Sequence, residues 1–168
     1  MQMGTMAVSR SETATRLRTQ TSERLDLDSY VPFLINQVTA YTNRTLREAF
    51  KSKKITISCW RVLAVSASLG PQNIGELCEL TCMEQPTVSR VVDQMERDGL
   101  VVRRPLPSDN RIVRVHVTSA GNTLFKKLLP TALQIADRLT HDFTPDERSA
   151  ALRLLGRLIN NIKDPGRF

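Results

Sequence analysis

Histidine and cysteine are scarce in this chain of 168 residues, which has two of the first and three of the second. His116 and His141 are not spaced to complete a metal site, and Cys59, Cys78 and Cys82 form neither an even disulfide framework nor a pair of CxxC clamps. Reduced thiols are expected, with no metal and no other cofactor. Two scattered histidines and no clustered acids make no acid-base pair, so no residue is assigned as catalytic and an enzyme is not expected. Also missing is any run approaching the roughly 20 apolar residues of a membrane span, or an apolar secretion signal at the N-terminus. The expected setting is the cytoplasm, without a membrane partner.

What is present suits a folded nucleic-acid binder. An apolar content of 40% is enough for a real core. Lysine and arginine number 24 against 17 acids, a formal charge of +7. Such an excess favours a polyanionic partner, because each neutralised phosphate releases condensed counterions. Charge alone also fits a soluble basic domain with no such partner, so the placement of the cations has to decide.

Residues 1–26 are rich in Ser, Thr and Arg without apolar periodicity and read as a flexible arm. A transit peptide fits Arg16 and Arg18 but not Glu12 and Glu23. From Leu27, the residues Tyr30, Val31, Leu34, Val38, Tyr41 and Leu46 recur at helical steps, predicting a long first helix capped by Ser29 with Pro32 in its first turn. A second helix follows Ser58 and stops at Gly70 and Pro71. Asn73 and Glu76 have capping-box spacing for a short third helix with Ile74, Leu77 and Leu80 inward. After a brief turn, Pro86 serves as first residue of a fourth helix that buries Val88, Val91, Val92 and Met95 and ends at Gly99. A hairpin follows: Leu100 to Arg104, a turn over Pro105 to Asn110, and Ile112 to Val117 with Val113, Val115 and Val117 on one face. Thr118 opens a fifth helix with Leu124, Leu128, Leu133 and Leu139 inside and a kink at Pro130. Thr144 and Glu147 box the start of a sixth, whose apolar residues are Leu152, Leu155, Ile159 and Ile162.

The predicted fold class is mainly α with a small β-hairpin wing, a winged helix-turn-helix plus a helical dimerisation region. Its expected parts are the arm at 1–26, a first dimerisation helix over 27–55, a winged helix-turn-helix over 56–117, and C-terminal dimerisation helices over 118–168. Between the third and fourth helices, Cys78 and Cys82 fill the small positions that two steeply crossing helices require. An ordinary helical hairpin shares that pattern, but not the β-hairpin after it. With the valines and Met95 inward, Gln85, Pro86, Ser89, Arg90 and Asp93 turn outward and Thr87 lies at the border. Gln reads adenine, Arg grips guanine or phosphate, and Ser and Thr serve either role. In the hairpin, Arg103, Arg104, Arg111 and Arg114 stand against a single acid, Asp109, whose carboxylate can hold Arg111 for minor-groove entry. The plainer readings are a solvated helix face and edge-strand charge that discourages aggregation.

The stretch Thr87-Val88-Ser89-Arg90-Val91-Val92-Asp93, with Met95-Glu96-Arg97-Asp98-Gly99-Leu100-Val101 after it, resembles the recognition helix of MarR-type regulators. Asp109 and Arg111 look like that family's Asp-x-Arg wing tip, and Thr118-x-x-Gly121 is similar to its entry into the fifth helix. The resemblance covers about Leu27 to Ile162, with Pro105 and Pro107 and the long basic arm as departures. It implies a homodimer joined by its N- and C-terminal helices, whose repression is relieved by a ligand or by oxidation.

The function expected is a DNA-binding transcriptional repressor that holds an inverted-repeat operator in double-stranded DNA and is released by a small aromatic or anionic effector. The DNA-binding set is Gln85, Pro86, Thr87, Ser89, Arg90, Arg104, Asp109, Arg111 and Arg114. The apolar surface of helices one, five and six exceeds what one small winged domain can cover, which also calls for a homodimer. Its two recognition helices would enter successive major grooves about 34 Å apart. The ligand-binding set is Tyr41, Arg44, Trp60 and Arg61, an aromatic wall with cations; core packing of the rings and solvation of the arginines is the plainer alternative. The rival functions are a thiol-based redox-sensing regulator and a winged-helix protein-interaction module without DNA binding. Oxidation-sensing relatives carry a reactive cysteine near the start of the first helix, where this chain has none, and its cysteines read as buried and inert.

Overall fold

A computed structural model describes residues 24–163, so all but the last three residues of the expected arm lie outside it. Packing divides the chain into two units, with the division between Ala40 and Tyr41. The elements in order are α1 (Val31–Phe50), a 3₁₀ turn (Lys51–Lys53), α2 (Ile57–Leu69), α3 (Ile74–Thr81), α4 (Gln85–Arg97), β1 (Val101–Leu106), β2 (Asp109–Val117), α5 (Ser119–Arg138) and α6 (Pro145–Lys163). Mainly α with one antiparallel hairpin is therefore the fold class.

Local chemistry sets most helix starts. Asn73 and Glu76 make the expected reciprocal box, each backbone N–H donating to the other's side chain at 2.8 and 2.9 Å. Thr144 and Glu147 do the same at the head of α6. Two caps differ from expectation. Ser29 Oγ donates to the Asp26 carboxylate at 2.7 Å, and the first amides of α1 run to the Tyr30 carbonyl instead. Thr56, whose Oγ1 accepts the Cys59 N–H at 3.1 Å, starts α2 at Ile57 rather than after Ser58. Pro86 is the second residue of α4, because Glu84 is its cap and Gln85 its first turn.

The core joins α2, α3, α4 and the hairpin. Val62, Leu63, Leu77, Val88, Val92, Met95, Val101 and Val115 are all buried, and Phe50 and Leu128 close the same cluster. Trp60 lies between Phe50, edge-on at 5.4 Å, and Phe125, stacked at 5.9 Å. The α3–α4 turn is made by Cys82 in the left-handed region (φ 53°), with its N–H on the Glu79 carbonyl at 3.4 Å. Cys82 is exposed rather than buried, since it occupies the outside of that turn.

Helical periodicity also overstated what one chain buries. Leu80, Val113, Leu133 and Leu139 are exposed; Leu152, Leu155, Ile159 and Ile162 of α6, a helix with no buried residue, are the open apolar surface expected of it. Spacing shows which residues share a face; it does not show what covers that face. α5 continues unbroken through Pro130.

The hairpin is longer and its tip tighter than expected. β1 pairs with β2 from Val101 opposite Val117 to Leu106 opposite Asp109, leaving Pro107 and Ser108 as the turn. The register shifts between Pro105 and Leu106, where proline has no N–H to give the ladder. At the base, Val115 N–H donates to the Gln72 carbonyl at 2.8 Å and so ties β2 to the α2–α3 connection.

Thr118 and Gly121 fasten the other end. Thr118 Oγ1 donates to the Gly99 carbonyl at 2.7 Å and accepts the Gly121 N–H at 3.1 Å, while Thr118 N–H reaches the Leu100 carbonyl at 3.0 Å. Gly121 is buried against that carbonyl: a Cβ there would collide with Leu100 O and come within 2.7 Å of Val117 Cγ1. Gly121→Ala should therefore lower unfolding stability in urea by about 2–3 kcal/mol, the scale of overpacking against a backbone that cannot yield. An unchanged denaturation midpoint would contradict this close packing.

Candidate nucleic-acid interface

α4 presents its polar edge because its apolar edge is consumed by the core. Val88, Val92 and Met95 point inward, so the 3.6-residue turn leaves Gln85, Pro86, Thr87 and Arg90 exposed and Ser89 half-buried. Thr87 is fully part of the exposed edge. No acid occurs on this helix before Asp93, and Arg90 has no ion-pair partner among the described residues. The edge thus offers donors and acceptors to a partner rather than to its own chain.

The wing adds a second exposed surface. The Arg111 side chain is 95% exposed; Asp109 Oδ1 accepts its backbone N–H at 3.0 Å and lies 3.9 Å from its Nε. The carboxylate steadies the base of the arginine while its end projects. Arg104 is exposed directly across the ladder from Arg114, a like-charge pair. Arg114 Nη1 donates to the Pro71 carbonyl at 3.2 Å and its Nη2 lies 3.7 Å from Glu76, while its buried Nε has no partner. An open cleft of about 300 Å³ lies here, lined among others by Pro71, Arg104, Leu106, Arg114 and His116.

Four wing arginines facing one acid is not what the fold provides. Arg103 turns toward α4, where its Nη2 donates to Asp93 Oδ1 at 2.6 Å and its Nη1 donates to Glu96 Oε2. Glu96 Oε1 also accepts the Arg103 backbone N–H at 2.9 Å. These bonds, backbone first and then side chain, hold the Glu96 carboxyl below its ordinary value. Burial opposes the charge on Arg103, but the two carboxylates outweigh it and raise its pKa. Sequence reasoning missed this because strand alternation was not applied at Val101 and Arg103, which share the face turned to α4; the acids at 93 and 96, one turn apart, were the available signal.

The residues expected to bind a ligand fall into smaller groupings. The Arg44 guanidinium lies 5.0 Å over the Tyr41 ring, Arg61 donates to Asn43 Oδ1 at 3.4 Å, and Trp60 is held in the aromatic stack described above. Among the thiols, burial and then the charge of Asp98 push Cys59 up to about 11, so it stays protonated near neutrality. No helix among the described residues is long and apolar enough to cross a membrane.

The sequence profile of the MarR family matches residues 55–113. The HTH-type transcriptional repressor NicR of Pseudomonas putida is 32% identical over 97 residues, covering 58% of this chain and 61% of its own length. An uncharacterised HTH-type transcriptional regulator of Bacillus subtilis, YkoM, is 35% identical over 95 residues, or 56% of this chain and 61% of its own. The match thus spans less than two thirds of each of these relatives. The crystal structure of a MarR-family transcriptional regulator from Silicibacter pomeroyi superposes with a TM-score of 0.75 at 32% identity, covering 81% of this chain and 92% of that one.

The lowered Glu96 carboxyl sets a pH dependence. Because it falls below the ordinary glutamate value of 4.5 in the folded chain, its contribution is complete above that value and is lost as pH falls through the folded one. Glu96→Gln should flatten the decline in melting temperature between about pH 5 and pH 3 relative to the parent. Identical pH profiles for the two proteins would show that Glu96 is not held by Arg103.

Proposed function

The chain belongs to the MarR family, and from that premise we propose that it is a DNA-binding transcriptional repressor, acting as a homodimer on an inverted-repeat operator and released by a small aromatic or anionic ligand. The observation that carries this reading is the pairing of two cation-bearing surfaces: an α4 edge with Arg90 and no acid before Asp93, and a wing whose Arg111 extends into solvent. In the major groove, Gln85 pairs bidentately with adenine and Arg90 with guanine or a phosphate, while Thr87 and Ser89 hydrogen-bond to either. Arg111 enters the adjoining minor groove, where narrow A·T tracts concentrate negative potential, with Asp109 as its brace and Arg104 facing the backbone, while Arg114 is held by Pro71 and Glu76 of its own chain.

Homodimerisation is supported by the apolar rows left open on a single chain. Val31, Leu34 and Val38 on α1, Leu133 and Leu139 on α5, and Leu152, Leu155, Ile159 and Ile162 on α6 are all exposed. Exposed apolar rows of this length mark an interface, and a second copy supplies the symmetric cover for them. Two-fold symmetry then sets recognition helices about 34 Å apart, which is why the operator is an inverted repeat. For the effector, Arg44 and Arg61 are the groups suited to a carboxylate, with Tyr41 and Trp60 as the aromatic surroundings. A redox trigger gains no support from Cys59, whose thiolate is disfavoured.

Arg90→Ala and Arg111→Ala should each weaken binding to a duplex selected from genomic fragments about 5- to 100-fold at fixed salt, with no change in sedimenting mass. Gel-shift titration and analytical ultracentrifugation read both quantities. Full affinity in both variants would refute the assigned surfaces and favour a protein-interaction module. Leu155→Glu combined with Ile159→Glu should reduce the mass from two chains to one and abolish tight binding; a two-chain mass that survives the pair would remove α6 from the interface.

A further inference from the structure

We infer that Arg103 is a positioning residue for DNA binding, a guanidinium that fixes the wing to the recognition helix and makes no contact with DNA itself. The inference rests on the DNA-binding reading above and assigns a role to three residues outside its contact set. Along β1, Val101 is buried and Arg103 reaches α4, while Arg104 is exposed. Asp93 and Glu96 stand one helical turn apart on α4, and Arg103 spans both. Its backbone N–H joins the second acid, so main chain and side chain hold the strand together.

The position along the hairpin explains why this matters. A two-stranded ribbon has little stability of its own and takes its direction from what holds it. Val101, Val115 and Val117 anchor its base in the core, and beyond Arg103 on β1 no residue up to the turn is buried. Arg103 is thus the last tie between β1 and α4 before the tip that carries Arg111. A small tilt at Arg103 becomes a larger displacement at the tip, out of register with Arg90 and Gln85. The same clamp neutralises the two acids that α4 would otherwise turn toward phosphate.

Positioning and direct phosphate contact predict opposite outcomes when the acids are removed. Asp93→Asn with Glu96→Gln strips two negative charges from the DNA-facing region, so charge alone would tighten binding. Positioning requires that the pair weaken binding to the selected duplex about tenfold or more, as Arg103→Ala does. In a background already lacking the wing's free cations, Arg104→Ala with Arg111→Ala, adding Arg103→Ala should change affinity less than about twofold and leave the salt slope unaltered. A phosphate contact would instead cost the same in either background and lower the slope by about one. Hydrogen exchange on the DNA-free protein supplies the independent arm: both the acid pair and Arg103→Ala should speed exchange of hairpin amides while those of α2 and α5 keep their rates. Tighter binding by the acid-neutral pair, or unchanged hairpin exchange, overturns the inference. Should the parent protein enrich no duplex, the DNA-binding reading fails, and the exchange data still decide whether the clamp holds the wing.

Discussion

The close approach of Gly121 to the Leu100 carbonyl is the constraint on which the arrangement of reading surfaces depends. At this spot the end of α4, both ends of the hairpin and the start of α5 converge, and only a residue without a Cβ lets the helix come near enough. Thr118 then answers three backbone groups, the Gly99 and Leu100 carbonyls and the Gly121 N–H, with one amide and one hydroxyl. Hairpin direction follows from that junction, and the Arg103 bonds to Asp93 and Glu96 carry the direction outward along β1.

From there the logic is one of division between the faces of short elements. α4 spends Val88, Val92 and Met95 on the core and is left with a polar edge; β1 spends Val101 on the core and Arg103 on α4, and is left with Arg104. Charge is divided in the same way. Arg103 and Arg114 are held by acids of this chain, while Arg90, Arg104 and the end of Arg111 remain available to a partner. A basic sequence therefore becomes a patterned surface, with fewer free cations at the wing than composition suggests and each in a definite place. The proposed function follows from this pattern more than from net charge.

Where a feature depended on neighbours in sequence, it was legible. The capping box of Asn73 and Glu76, the box of Thr144 and Glu147, the Thr118-x-x-Gly121 entry and the inward valines of α4 all involve contacts within four residues or a simple helical period. Features set across the chain were not. The pairing of Arg114 with Glu76 and Pro71 joins strand to helix and loop at separations that periodicity does not encode, while for Arg103 alternation gives the face and the spacing of Asp93 and Glu96 the partner helix, but not that the two meet. The hairpin tip moved because the ladder continues through Pro105 by shifting register. Leu133 and Leu139 share a helix face with the buried Leu128 yet are exposed, since periodicity carries no information about the covering surface.

The central claim is that recognition helix and wing act as one unit, presented twice by a symmetric pair of chains to one duplex. Hydroxyl-radical footprinting on a selected duplex tests this most directly. Two protected patches related by two-fold symmetry, with centres about 34–36 Å apart and protection extending into the flanking minor grooves, are the result expected. A single patch, or protection without that symmetry, would contradict it.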